Sequence, residues 1–291
     1  MNRKCFAKIN LSLDSLYERP DGYHEIDTIM APISLFDELT IIPNNTGEFN
    51  YESNFNIGDL KDNLIYKAWD LLKDRTDNPG VDVKLIKNIP LAAGLAGGST
   101  DAAEMIKGLN ELWDLNLSNN EMQEFGSKLG ADIPFFFENS TARAKGIGEI
   151  LKPFKNNLDM KILLVNDGTE ISSAEVYKKL ADYGHVENDL IVKKLVDGHH
   201  SAIFYFKNVM EDVVIDLHPH LLDIKFEFLD LGAEISLISG SGASIFGIFM
   251  DDETLDDAYN KMKDKYYFVE KVGILWQILE CLILDLVVWQ F

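Results

Sequence analysis

The chemistry this chain could do gathers around a few residue types: three clustered glycines, an aspartate before an apolar run, and a lysine and an asparagine two positions apart. Gly94, Gly97 and Gly98 lie in Pro-Leu-Ala-Ala-Gly-Leu-Ala-Gly-Gly-Ser-Thr-Asp-Ala-Ala, residues 90–103. The stretch follows an alternating β-branched run (Val81, Val83, Leu85) and leads into helical spacing through Ala102, Ala103, Met105, Ile106, Leu109 and Trp113. Strand, glycine turn and helix are therefore expected in that order. Such glycines let the backbone turn tightly and approach a ligand without a Cβ in the way. The first N–H groups of the following helix are free and its dipole is positive there, so the turn suits a phosphate. No lysine follows the glycines as a P-loop requires, and the Gly-x-Gly-x-x-Gly order of a dinucleotide fold is missing. A purely structural turn stays open at this point.

The other candidates each have an ordinary alternative. Residues 6–13 alternate, which puts Lys8 and Asn10 on one non-core strand face. A solvated face would explain them equally well. Arg-Pro-Asp-Gly at 19–22 is turn chemistry, and Tyr23 and His24 stand where that turn enters the next strand. Tyr-His there is compatible with packing as much as with recognition. Asp132, in Gly-Ala-Asp-Ile-Pro, precedes an apolar run at 133–137 that is expected to be a buried strand, and it could be a simple turn residue.

The elements that must hold these residues follow from periodicity. Strands are expected at 6–16, 24–35, 37–43 and 48–53, a helix at 64–72, and a second helix at 119–129. A polar strand at 141–149 ends the first half, and Pro, Lys and Asn between 152 and 159 mark a boundary. The second half alternates helices (from 174, 188–196, 199–208, 218–231, 252–263) with strands (160–165, 235–238, 244–249, 267–272). That mixture predicts an α+β fold in two domains, residues 1–152 and 153–272. Residues 273–291 form an atypical apolar tail, in which Glu280 and Asp285 and the short length argue against a membrane span.

Composition narrows the function classes. With 27 Lys and Arg against 48 Asp and Glu, the net charge of −21 argues against a nucleic-acid partner. Any anionic substrate must then be met by a few local cations and backbone donors. The two cysteines, Cys5 and Cys281, sit at opposite ends of the chain and suggest neither a disulfide framework nor a zinc site. The first residues show no secretory pattern, so a cytoplasmic protein is expected.

Residues 90–103 resemble the Pro-x-x-x-Gly-Leu-(Gly/Ala)-(Gly/Ser)-Ser-Ser/Thr-(Asp/Asn)-Ala motif of the GHMP small-molecule kinases. Ala-Lys-Ile-Asn-Leu at 7–11 with Asp-Gly-Tyr-His at 21–24 is similar to the branch that phosphorylates 4-diphosphocytidyl-2-C-methyl-D-erythritol. Gly-Ala-Asp-Ile-Pro at 130–134 and Ser-Gly-Ser-Gly-Ala at 239–243 resemble its catalytic-aspartate segment and third motif, in register from about 3 to about 272. The galactokinase sugar signature is missing. Homoserine or phosphomevalonate kinases share the loop but not the pyrimidine residues, and a non-catalytic regulator on the same fold would be favoured by loss of Lys8 or Asp132, both present.

The resemblance implies an N-terminal domain like ribosomal protein S5 and a ferredoxin-like C-terminal domain. It also implies ATP-dependent phosphorylation of the 2-hydroxyl in non-mevalonate isoprenoid synthesis. Asp132 would be the general base and Lys8 its partner. Pro90, Gly94, Leu95, Ala96, Gly97, Gly98, Ser99 and Thr100 would hold the ATP phosphates with Mg²⁺, whose protein ligands stay unassigned beyond Ser99 or Thr100 as candidates. Asn10 and Ser173 would contact substrate, Tyr23 and Tyr177 would stack on the cytosine, and His24 would read its edge. Small-molecule substrates, no membrane, and a monomer or weak homodimer complete the expectation. Three departures stand out: Phe6 where Pro or Ala is usual, Ala96 where Gly is usual, and the tail after Val272.

Overall fold

The computed structural model describes residues 1–55, 58–138, 140–181 and 183–275. Most of the apolar tail at 273–291 therefore lies outside the described residues. By its contacts the chain forms two units. The first comprises Met1–Ala7, Leu35–Leu91 and Ala96–Phe137, and the second Lys8–Ser34, Ala92–Leu95 and the chain from Glu138 onward. The α+β class is observed.

Strands β1 (Asn2–Glu18) and β2 (His24–Pro43) open the chain and pair with each other. β2 is one continuous strand where the sequence suggests two. The expected break comes just before Asp37, a residue type depleted in strands. It is fully buried, and its carboxylate accepts the backbone N–H groups of Asn88 and Ile89 at 2.6 and 2.8 Å.

In the first unit β4 (Val81–Ile86) pairs antiparallel with the Glu38–Pro43 part of β2 and parallel with β3 (Phe49–Ser53). Helices α1 (Leu64–Leu72), α2 (Gly97–Leu112) and α3 (Asn119–Ser127) accompany this sheet. The caps are local chemistry: Asn63 accepts the Ile65 N–H, and Ser118 and Glu121 form a capping box. α2 lies directly on β2 at Gly108, where an added Cβ would come within 2.4 Å of Ile41. Residues Ile133–Phe137 form a 3-10 helix rather than the expected strand. All five side chains are buried, so the run carries no periodicity to separate the two structures. It packs as a helix does: a Cβ on Gly126 would meet both Ile133 and Phe137, four residues apart.

One polar cluster ties this unit together. Lys87, at the end of β4, bonds through Nζ to Asp101 Oδ2 at 2.8 Å and to Asp37. All three side chains are buried, and they link β2, the end of β4 and α2. Desolvation pushes the Asp101 carboxyl up to about 7, opposed by the charge of Lys87 and reinforced by that of Asp37.

The second unit holds β5 (Ala142–Gly146), paired with β6 (Ile150–Pro153) and with the Ile26–Met30 part of β2. Beyond it, β7 (Lys161–Asn166), β8 (Ile235–Ile238), β9 (Ile245–Phe249) and β10 (Phe268–Val272) form an antiparallel sheet in the order β10-β7-β9-β8. Numbered within this sheet, the order is 4-1-3-2, which is ferredoxin-like. Helices α4 (Ser173–Lys179), α5 (Asn188–Val196), α6 (Glu211–Leu217), α7 (His220–Asp230) and α8 (Asp252–Met262) complete the unit. Leu163, Val165, Val214, Leu221, Phe228, Ile245, Phe249 and Met262 lie in its core. The segment expected to be helical at 199–208 is a 3-10 helix, His200–Tyr205, and the short α6 was not anticipated. Among the described residues no helix is long and apolar enough to cross a membrane.

Replacing Lys87 with Met would leave two carboxylates facing each other in the interior. The expected loss is about 3–5 kcal/mol, measured by denaturant unfolding. The pH dependence follows from Asp101. Its folded pKa lies above the ordinary 3.8, so its contribution to stability is complete below about pH 4 and is lost as pH rises through 7. Thermal midpoints followed from pH 4 to 8 are expected to fall less steeply in Asp101→Asn than in the parent.

Candidate active site

Lys8 and Asn10 do share one face of β1, but that face is interior: each is only 4% exposed. A buried ammonium needs acceptors. Lys8 Nζ donates to Asn10 Oδ1 at 2.6 Å and to the carbonyl of Gly94 at 2.9 Å. The Lys8 backbone N–H meets the Leu95 carbonyl at 3.1 Å, so the strand and the glycine loop are joined on both sides of the lysine. The third glycine motif joins them. Ser239 Oγ donates to the Gly94 carbonyl at 3.1 Å and accepts the Asn10 N–H at 3.3 Å, and the Ser244 N–H reaches the Ala93 carbonyl. Asn208, missed in the sequence, pins this motif from below by donating to the carbonyls of Ile238 and Gly240 at 2.9 and 2.7 Å.

Two backbone positions make the convergence possible. Gly94 has φ of +73°, and a Cβ there would lie 2.0 Å from the Ser239 carbonyl oxygen. Gly240 has φ of +59° and faces Asn10 Oδ1 and Lys8 Nζ at 3.3 and 3.5 Å from its missing Cβ. Ala96 also stands in the left-handed region, φ +56°, which gives the physical reason why glycine suits that place.

α2 starts after Ala96 with no side chain capping it. Its first bonded N–H is that of Thr100, to the Ala96 carbonyl at 3.0 Å. The N–H groups of Gly97, Gly98 and Ser99 therefore have no partner within the helix and point along its positive end. Leu95 and Thr100 are buried, and Pro90 is half-buried. Asp132 lies in the first unit, half-buried in the turn just before the Ile133–Phe137 helix.

The residues expected at a pyrimidine separate into two groups. His24 is buried, with the Tyr177 ring 5.1 Å away at 34° and the Tyr183 ring 6.0 Å away at 20°. Tyr183 was not singled out from the sequence. It is brought there by Asp14, whose carboxylate accepts the N–H groups of Gly184 and Val186 at 3.1 and 2.9 Å. Tyr23 instead projects outward, 60% exposed, from the turn closed by the Arg19 N–H to the Tyr23 carbonyl. Ser173 bonds to Ser241 through the two hydroxyls at 2.6 Å, which joins the start of α4 to the third glycine motif.

Residues 63–139 match the GHMP kinases N terminal domain and residues 191–267 the GHMP kinases C terminal domain. The 4-diphosphocytidyl-2-C-methyl-D-erythritol kinase of Finegoldia magna is 42% identical over 94% of this chain and 100% of its own length. The enzyme of the same name from Thermoanaerobacter pseudethanolicus is 44% identical over 91% of this chain and 93% of its own. A crystal structure of 4-(cytidine 5'-diphospho)-2C-methyl-D-erythritol kinase superposes with a TM-score of 0.81 at 30% identity, covering 94% of this chain and 99% of that one. Mevalonate kinase from L. major, at 17% identity and a TM-score of 0.68, shares the fold. Identity of this level across both halves, on a chain with the glycine loop and the Lys8 strand joined, places it: the chain belongs to the 4-diphosphocytidyl-2-C-methyl-D-erythritol kinase family of the GHMP kinases.

Proposed function

We propose that this chain transfers the γ-phosphoryl group of ATP to the 2-hydroxyl of 4-diphosphocytidyl-2-C-methyl-D-erythritol, giving the 2-phosphate and ADP. Its full-length likeness to kinases of that name supports the substrate. The observation that carries the site is Lys8, a buried cation bonded directly to the glycine loop through the Gly94 carbonyl. Gly94, Leu95, Ala96, Gly97, Gly98, Ser99 and Thr100, with Pro90 before them, hold the triphosphate on the open N–H groups of α2. Asp132 accepts the proton of the tertiary hydroxyl, a poor nucleophile on its own. Lys8 stabilises charge gathering between that oxygen and the γ-phosphate. Positioning carries most of such a transfer, because little covalent work falls to the protein. Tyr23 and Tyr177 flank the cytosine, His24 reads its edge, and Ser173 lies on the substrate side of α4.

Mg²⁺ fits this loop as an ion carried by phosphate. Such an ion takes one or two protein oxygens and completes its shell with phosphate and water, and the hydroxyls of Ser99 and Thr100 are the oxygens at the helix start. When bound it would neutralise the phosphate charge. The enzyme acts on small molecules in the cytoplasm as a monomer or weak homodimer, and its two halves divide near residue 152.

The test is phosphorylation of the cytidylylated substrate beside cytidine-free methylerythritol phosphate, homoserine and mevalonate phosphate. Turnover of the first alone is expected, and turnover of another would overturn the pyrimidine assignment. Asp132→Asn is expected to lower kcat by about 10²–10⁴-fold with ATP affinity little changed. Unchanged turnover would remove Asp132 from the mechanism. The loop supplies a contrasting pair. Gly94→Ala drives a methyl group into the Ser239 carbonyl and is expected to abolish ATP binding or folding. Ala96→Gly relieves a left-handed alanine and is expected to leave activity intact while raising stability by about 0.5–1 kcal/mol, read by thermal unfolding.

A further inference from the structure

Asn10 lies on the Lys8 face of β1, and its side-chain amide is already engaged within the chain at both ends. Its Oδ1 accepts from Lys8 Nζ at 2.6 Å, and its Nδ2 donates to Thr28 Oγ1 at 2.8 Å. Thr28 is 1% exposed and lies on β2, paired alongside. Its hydroxyl carries one proton, and that proton goes to the Ser12 carbonyl at 2.6 Å. A carbonyl can only accept, so the direction of this bond is fixed. With its proton committed, the Thr28 oxygen can face Asn10 only as an acceptor. The amide must then turn its NH₂ toward Thr28 and its oxygen toward Lys8.

We propose that Thr28 is a positioning residue for the phosphoryl transfer: it locks the Asn10 amide in the one orientation that gives the Lys8 ammonium an acceptor. The alternative flip would aim two N–H donors at a cation in a site almost closed to water, where unpaired and like-facing dipoles are costly. Neither Thr28 nor Ser12 has a motif of its own in the sequence, and the relay exists only because β1 and β2 are paired. Asn10 is thereby a support of Lys8 rather than a free donor waiting for substrate. The proposal rests on Lys8 acting at the transferred phosphate, as set out above.

Thr28→Val keeps shape and removes the hydroxyl, whereas Thr28→Ser keeps the hydroxyl. Valine is expected to lower kcat by about 10–100-fold, the range for a small displacement of a catalytic group, with KM for ATP within about twofold. Serine is expected to restore the rate to within about threefold of the parent, even where valine weakens folding. Because Thr28 acts through Asn10, adding Thr28→Val to Asn10→Ala is expected to cost nothing further in kcat. Parent-like turnover in Thr28→Val, a serine variant as poor as valine, or losses that multiply in the double variant would each overturn the proposal. Lys8→Met in the same assay separates the two layers. If it keeps turnover, the assignment of Lys8 falls; if it is inactive while Thr28→Val is unaffected, only the Thr28 proposal falls. A readout without substrate completes the test. The Asn10 side-chain NH₂ signals, assigned by their loss in Asn10→Asp, are expected to exchange slowly with water in the parent and faster in Thr28→Val. Unchanged exchange would refute the relay whatever the chain phosphorylates.

Discussion

Placing one ammonium group in the interior of a protein sets demands on everything around it. Lys8 would be costly where it is without acceptors, and its two named acceptors come from different parts of the chain: Asn10 two residues on, and Gly94 on the loop before α2. Each acceptor needs support in turn. Asn10 is oriented through Thr28, and the Gly94 carbonyl is shared with Ser239. Gly94 can come this close to Ser239 only without a side chain. The tight glycine geometry of both loops is thus a consequence of where the charge sits as much as of what the loops bind.

Charge is treated differently in the two units. In the first, Lys87 neutralises two buried carboxylates and has a mechanical task, tying α2 to the strands beneath it. In the second, Lys8 is held by neutral oxygens, Asn10 Oδ1 and a backbone carbonyl. Amide and carbonyl oxygens accept from the cation without bringing a negative charge of their own. That distinction matters in a chain of net charge −21, where positive potential must be produced locally.

Much of this was legible before any coordinates. Alternation gave β1 and placed Lys8 and Asn10 together, and glycine spacing gave the turn into α2. The misreadings have physical causes. Residues 133–137 are apolar throughout and buried on every side, so no period betrays a 3-10 helix. Asp37 looked like the start of a separate strand because its partners, the N–H groups of Asn88 and Ile89, lie about fifty residues away. Thr28, Asn208, Tyr183 and Lys87 were passed over for the same reason. Each is an ordinary residue in its own neighbourhood and gains meaning only from a partner supplied by another element.

The sequence separation of those partners bears on how the protein is made. The bonds around Lys8 span 86 residues to Gly94 and the Asn10 N–H reaches 229 residues to Ser239. During synthesis at about 5–20 residues per second, β1 waits roughly 10–50 s for the segment that completes its surroundings to leave the ribosome. Through that interval the nascent chain carries Lys8 and Asn10 on a strand whose other face is Ala7, Ile9, Leu11 and Leu13, without the loops that enclose them. Lys8 is among the first residues synthesised and among the last to reach its final environment, so early chain release leaves a fragment with the Ala-Lys-Ile-Asn strand and none of the loops that enclose it.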